Sequence, residues 1–166
     1  MSAPTKHEII ELLDLDHHFE GGYFRQTYNA VQRARINTAA GERTTLSTIY
    51  YMLTDDTPID HFHTKRSDGI EYFHLGQPIT YHLIHPDGRY ERVVVGPDIL
   101  RGQQLQLVVH GGTWKAAELV AGDYGLVSEA VAPGWEMADM VTPSRAELLA
   151  LFPQHGALIT RLTRAS

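Results

Sequence analysis

The sequence predicts a mainly β protein, an antiparallel barrel with short helices at the two ends of the chain. Three observations lead to this fold class. The middle of the chain holds many short apolar runs, rich in Val, Ile, Tyr and Thr, that are separated by turn residues. Helix signals lie near the two ends. No long helical segment separates the apolar runs, as the crossover connections of a parallel sheet would require.

The helices are predicted from their capping residues. Thr5 and Glu8 form the pattern of a capping box, and apolar residues follow at helical spacing. Near the other end, Thr142 and Pro143 predict an N-cap followed by proline at the first helical position. A last short helix is expected over residues 155–162.

The strands are predicted from runs of strand-forming residues between turns. These runs cover residues 46–53, 79–84, 90–95, 104–109, 114–119 and 124–131. His85-Pro86-Asp87-Gly88 predicts a hairpin turn, and Ala121-Gly122-Asp123 predicts a second one. The pattern shows no repeat or linker, so we expect a single domain over residues 1–166.

Composition excludes several classes of function. The chain has no cysteine, which excludes disulfides and thiolate chemistry. Its formal charge of −6 and its lack of a basic cluster disfavour nucleic-acid binding. No stretch approaches the roughly 20 apolar residues of a membrane span, and the first residues lack the apolar run of a signal peptide. We therefore expect a cytoplasmic protein with no membrane partner.

Two segments resemble the sequence blocks of the cupin superfamily. Residues 61–76 read H-F-H-T-K-R-S-D-G-I-E-Y-F-H-L-G, and residues 110–115 read H-G-G-T-W-K. His61 and His63 are two residues apart and should share a strand face, with Glu71 on the following strand. The resemblance implies a jelly-roll barrel. In metal-binding cupins these blocks supply two His and a Glu, then a third His.

A closer resemblance covers nearly the whole chain. Residues 20–25, E-G-G-Y-F-R, are similar to the signature of stand-alone single-domain cupins of unknown function, which are loosely similar to sugar-nucleotide epimerases. The strings V-V-H-G-G-T-W at 108–114 and V-A-P-G at 131–134 fit the same group. This resemblance implies a homodimer and no settled activity.

The chain departs from the superfamily pattern at the expected metal ligands. The resemblance places the usual Glu at Gly69 and the third His at Lys115. A reduced site of His61, His63 and Glu71 would suit Fe(II), Mn(II) or Ni(II). The positive charge of Lys115 would oppose that cation.

Without a metal, the same residues suit acid–base chemistry. His63 is the candidate base, and Glu71 and Lys115 are the other candidate catalytic residues. Tyr23 and Arg25, with His61, are candidate ligand-binding residues, because an inward-facing Arg offers a planar fork to an anion.

The sequence thus predicts a cupin that binds a small polar, anionic molecule, with an isomerase, epimerase or lyase activity as the first hypothesis. Two alternatives stay open: a cupin that binds its ligand without reaction, and a metal-dependent dioxygenase.

Overall fold

Two antiparallel β-sheets face each other in the structure, a computed structural model that describes residues 4–164. The first sheet has six strands, in the spatial order β1 (Asp16–His17), β2 (Tyr23–Asn29), β5 (Ser47–Thr54), β12 (Tyr124–Ala132), β7 (Asp68–Gly76) and β10 (Gln106–Val109). The second has five, in the order β13 (Met140–Val141), β6 (Ile59–Lys65), β11 (Trp114–Glu118), β8 (Ile79–Ile84) and β9 (Tyr90–Val95). A separate ribbon pairs β3 (Ile36–Thr38) with β4 (Gly41–Arg43).

Three α-helices flank the sheets: α1 (Lys6–Leu13), α2 (Arg145–Leu151) and α3 (Gly156–Leu162). Short 3-10 turns cover Ile99–Arg101, Met137–Asp139 and Pro153–His155. This arrangement confirms the predicted fold class of antiparallel strands with short helices at the ends. No helix within residues 4–164 is long and apolar enough to cross a bilayer.

The apolar core explains why β8 is buried along its whole length. Ile79, Tyr81 and Leu83 face the first sheet and pack in the core between the sheets. Ile84, on the other face, packs beneath α2 and α3. A strand covered on both faces carries apolar residues without strict alternation, which is what the run ITYHLI shows.

Local capping residues fix the helix ends. The capping box of Thr5 and Glu8 is present at the start of α1, as predicted. The start of α2 differs from the prediction. Ser144, rather than Thr142, is the N-cap and forms a capping box with Glu147. Serine fits because its short hydroxyl reaches the free N–H groups of the first turn.

The predicted second hairpin is wrong. The turn at residues 121–123 joins β11 to β12, but these strands lie in different sheets. β11 pairs with β6 and β8, whereas β12 pairs with β5 and β7. The turn therefore crosses from one sheet to the other. The first hairpin is confirmed, since β8 and β9 pair from Ile79–Val95 to Ile84–Tyr90.

Candidate functional site

A cavity of about 200 Å³ lies between the two sheets, beside the apolar core. Most of its wall is apolar, formed by Phe19, Phe24, Ile49, Tyr51, Val131, Trp135, Met137 and Met140. Five charged side chains, which we call the charged cluster, line the remaining wall: Asp60, Lys65, Glu71, Lys115 and Glu129. His18, Gln26, Ser47 and His63 complete the lining.

Strand pairing assembles the charged cluster. Glu71 of β7 lies directly opposite Glu129 of β12 in the first sheet. Lys115 of β11 lies opposite His63 of β6 in the second sheet. Because the two sheets face each other, the carboxylates of one meet the lysine of the other across the cavity.

Lys115 is the centre of the charged cluster. Its ammonium donates to Glu71 at 2.5 Å and to Glu129 at 3.2 Å, and all three side chains are buried. Burial alone would lower the pKa of Lys115, but Glu129, Glu71 and Asp60 outweigh it and raise that pKa above its ordinary value. Lys115 therefore stays charged, as a buried cation with carboxylate partners does.

The two glutamates differ in acidity. Burial would raise the pKa of Glu129, but Lys115 and Lys65 hold it well below its usual range. Lys65 donates to Glu129 as well, so this carboxylate has two cationic partners. Burial raises the pKa of Glu71, and Lys115 offsets that effect in part. Glu129 is thus the more firmly ionised carboxylate of the pair.

Within the part of the chain that the structure describes, no lysine contacts the carboxyl group of Asp60, in contrast to Glu71 and Glu129. The residue is 4% exposed, and its Oδ1 atom has no hydrogen-bond partner among residues 4–164. Burial raises the pKa of Asp60 to about 7, against the opposing effect of Lys115 and Lys65. A carboxyl group of that acidity can hold or release a proton near neutral pH.

His63 is a neutral base by geometry and by environment. Its Nδ1 lies 2.8 Å from the His61 carbonyl oxygen, so Nδ1–H donates there. That hydrogen bond leaves the lone pair on Nε2. Burial, together with Lys115 and Lys65, holds the pKa of His63 well below its usual value. Asp60 Oδ1 lies 3.6 Å from His63 Nδ1.

A β-bulge separates His61 from His63. Lys115 pairs with His63 and Ala117 pairs with Asp60, so His61 and Phe62 together face the single residue Ala116. The extra residue changes the alternation of side chains. Asp60 and His63 therefore both face the cavity, and Phe62 packs under the C-terminal helices.

The bulge contradicts the predicted convergence of His61, His63 and Glu71. His61 does not line the cavity. Its Nδ1 donates to the carbonyl oxygen of Glu20 at 2.9 Å. Glu20 is followed by Gly21 and Gly22, with φ of 118° and 74°. A Cβ on Gly21 would lie 2.1 Å from the Ile59 carbonyl oxygen, so this part of the E-G-G-Y-F-R motif is needed for backbone packing.

The predicted metal site does not fit the side chains present. Within residues 4–164 no three His, Asp or Glu side chains are arranged to hold a metal ion. His61 points elsewhere, and the Lys115 ammonium already lies between the two glutamates. A fixed cation at that point repels a second one.

Tyr23 and Arg25 also lie away from the cavity, contrary to the prediction. Arg25 donates to the Leu13 carbonyl oxygen at 3.1 Å, and the Tyr23 hydroxyl lies 3.3 Å from Asp56. Their neighbours Phe24 and Gln26 line the cavity instead. The strand alternates as expected, but the sequence does not show which face is inward.

Several site residues escaped the sequence analysis. Asp60, Glu129 and His18 lie outside the two cupin-like segments, and Lys65 lies in the first of them without being identified as a site residue. His18 lines the cavity, and burial lowers its pKa to about 4. The alternation of Lys65 with His63 was the signal that could have identified Lys65.

Catalytic candidates His63, Glu71 and Lys115 do line the same cavity. Trp114 packs outward beneath the C-terminal helices, which turns Lys115 inward.

Comparison with known proteins identifies relatives over most of the chain. Residues 7–142 match the model of a family described as Cupin superfamily (DUF985). The uncharacterized protein YML079W of Saccharomyces cerevisiae is 35% identical over 145 residues, which are 80% of this chain and 72% of the yeast protein.

Solved structures show the same architecture. A hypothetical protein from Leishmania major has a TM-score of 0.91 and 31% identity, covering 98% of this chain and all of the other. Protein SO0799 from Shewanella oneidensis has a TM-score of 0.90 and 30% identity, covering 99% and 100%. Oxalate decarboxylase from Bacillus subtilis has a TM-score of 0.56 and 14% identity over 90% of this chain and 37% of that protein, a likeness of fold alone.

Proposed function

The chain belongs to the Cupin superfamily (DUF985), and from that premise we propose that it binds a small molecule in its cavity and catalyses proton transfer on it. The observation that carries the proposal is the pairing of Asp60 and His63. A buried acid with a pKa of about 7 lies beside a neutral imidazole that has a free lone pair, and both line the cavity. Groups of unlike acidity in one site suit acid–base catalysis.

The reaction that fits is an isomerisation or epimerisation next to a carbonyl group. His63 Nε2 removes a proton from the carbon beside the carbonyl. The electron pair of the broken C–H bond moves into the new C=C bond, and the carbonyl becomes an enolate. Asp60 then donates a proton to the same carbon from the other face; the C=C electron pair forms the new C–H bond, and the enolate returns to the carbonyl. Proton exchange with solvent through the cavity mouth restores both side chains.

Lys115 supports the charge that this reaction develops. An ammonium has three N–H donors, and two of them contact Glu71 and Glu129. The third has no partner among residues 4–164 and is available to an enolate oxygen. A fixed donor in a site with little water stabilises such an anion more strongly than water does.

The site geometry bears differently on the two alternatives, a cupin that binds its ligand without reaction and a metal-dependent dioxygenase. A cupin that binds its ligand without reaction needs the cavity alone, so a reaction test must separate it from the proposal. A metal-dependent dioxygenase needs ligands that His61 and Lys115 do not provide. The epimerase-like resemblance of the sequence agrees with proton transfer.

Deuterium exchange tests the proposal directly. The protein is incubated in D₂O with a panel of small 2-oxo acids, ketoses and cyclic ketones, and loss of C–H signals is followed by NMR. We expect exchange on at least one compound, and its loss in both His63→Ala and Asp60→Asn. Binding without exchange across the panel would instead support the non-catalytic alternative.

We also propose a homodimer. Tyr28 and Val31 are large apolar residues on or beside β2, and both are exposed. A second copy of the chain that covered them would remove apolar surface from water. Sedimentation velocity at micromolar concentration should give the mass of two chains, and a stable monomer would contradict the proposal.

A further inference from the structure

The cavity has room for about one ring. Its volume of about 200 Å³ is somewhat larger than the ~150 Å³ apolar cavity that binds benzene in an engineered protein. Phe24, Ile49, Val131 and Trp135 form apolar wall around it. The enclosed part of a ligand is therefore a single ring or a small bicyclic group with mostly apolar surface.

The mouth of the cavity extends this apolar surface. Among the lining residues, Phe19 is 44% exposed and Met137 is 58% exposed. Large apolar side chains at the rim of a cavity favour an apolar occupant, because they lose contact with water when it binds. They offer no hydrogen-bond donor to a phosphate group.

The cations of the cavity already have partners. Lys65 contacts Glu129, and Lys115 contacts Glu71 and Glu129. Two lysines and two glutamates balance, so an anionic ligand finds no unpaired cation and faces Asp60 as well. The same balance gives a cationic ligand no net attraction from the two lysines and two glutamates. Burial of an unpaired ligand charge in this site would be costly.

Two buried polar atoms of cavity-lining residues have no hydrogen-bond partner within the described chain, the acceptor Asp60 Oδ1 and the donor Trp135 Nε1. Asp60 Oδ1 is buried in the cavity wall without a hydrogen-bond partner. A buried oxygen without a partner costs free energy that a ligand can recover by donating a hydrogen bond. A hydroxyl or N–H group supplies that bond without adding charge.

We propose, on the basis of the proposed function, that the substrate is a neutral, ring-sized, mostly apolar molecule with a hydroxyl or N–H group that donates to Asp60. This class differs from the polar, anionic metabolite that the sequence suggested. The difference arises because Glu129, which lies outside the cupin-like segments, completes with Glu71 the pair of carboxylates that balances the two lysines.

Four compounds that share one methyl-substituted benzene ring test this class: p-cresol, toluene, 4-methylbenzoate and 4-methylbenzylamine. Their dissociation constants are measured by calorimetry with the unmodified protein. We expect p-cresol to bind at least tenfold more tightly than toluene, since it adds the hydrogen bond to Asp60. We expect both charged compounds to bind more weakly than p-cresol.

Variants at Asp60 assign the preference to its carboxyl group. In Asp60→Leu, p-cresol and toluene should bind equally. In Asp60→Asn, which keeps the side-chain shape should the leucine variant fail to fold, the preference for p-cresol should shrink. An unchanged preference in a folded variant would overturn the role of Asp60.

Failure of the ligand class can be told apart from failure of the proposed reaction. None of the four probes has a C–H bond next to a ketone or aldehyde, so their binding reports nothing on proton transfer. Tightest binding of 4-methylbenzoate or 4-methylbenzylamine, or no binding of any ring compound, would overturn the ligand class. The deuterium-exchange result on carbonyl compounds decides the reaction separately.

Discussion

The carboxylate of Glu129 occupies the space that a side chain at position 69 would fill. A Cβ atom placed on Gly69 would lie 3.0 Å from Glu129 Oε1. Gly69 pairs with Val131 across β7 and β12, two residues along from the pair of Glu71 and Glu129. The glycine of one strand thus admits a carboxylate from its neighbour, and that carboxylate binds both lysines of the cavity.

Gly69→Ala should destabilise the protein through Glu129. The added methyl group pushes the carboxylate away from Lys115 and Lys65, so we expect the free energy of unfolding to fall by about 1 kcal/mol, a coupling usual for residues in contact. In a Glu129→Ala background the same change should cost less than about 0.5 kcal/mol. Urea denaturation of the four proteins measures the coupling.

A matched control separates the contact with Glu129 from the general effect of replacing a glycine by alanine. Gly156→Ala lies at the start of α3, where φ is −53° and the nearest atom to a new Cβ is 3.7 Å away. It should leave stability unchanged or raise it. Equal losses for Gly69→Ala with and without Glu129 would show that the two residues are not coupled.

The sequence predicted the fold well because its signals are local. The turn at residues 85–88 and the apolar runs beside it predict β8 and β9 with the bounds that the structure shows. The turn at 121–123 is equally clear, yet it joins strands of different sheets. A turn motif gives the position of a chain reversal, whereas the partner of each strand depends on the whole fold.

The site was predicted in part for the same reason. The candidates Lys115 and Glu71 lie in contact, since both follow regular alternation. His61 was misplaced because a bulge adds one residue to β6, and no residue type marks a bulge reliably. Glu129 and Asp60 lie outside the cupin-like segments, and their side chains reach the cavity through long-range strand pairing and the bulge of β6.

Asp60 should make stability depend on pH. Its pKa is raised from 3.8 to about 7 in the folded protein, so the folded state holds this proton more tightly than the unfolded chain. The resulting stability is fully present below about pH 4 and is lost as pH rises through 7. At 1.36 kcal/mol for each pKa unit, the loss is ~4 kcal/mol as an upper bound.

Asp60→Asn should remove this dependence. The amide does not titrate, so the difference in unfolding free energy between pH 5 and pH 8.5 should be smaller in the variant than in the unmodified protein. Guanidinium denaturation of both proteins at both pH values measures it, and every other titrating group is common to the pair. Parallel pH profiles would show that Asp60 is ionised throughout.

His61→Ala should lower the stability of the protein, whereas His63→Ala should lower its rate of proton exchange. His61 holds the bulge through the Glu20 carbonyl, so its loss should cost roughly 1 kcal/mol of stability and change proton exchange on a substrate little. His63 faces the cavity, so its loss should lower the exchange rate by about 10²–10⁴-fold while the protein stays folded. Circular dichroism checks folding, and NMR follows exchange. Unfolding of His63→Ala would make His63 a core residue instead.

Lys115→His should convert the charged cluster into a cation site. The substitution removes the ammonium between Glu71 and Glu129 and adds an imidazole opposite His63. Two imidazoles with carboxylates suit Ni(II) or Mn(II). Without metal the variant should lose stability, since removing one partner of a buried ion pair costs about 3–5 kcal/mol. Added metal should restore part of the melting temperature.

Elemental analysis after dialysis should find about one metal ion per chain in Lys115→His and less in Lys115→Gln, which removes the charge but adds no imidazole. Equal metal contents in the two variants and the unmodified protein would mean that Lys115 does not hold the position of a coordinated cation.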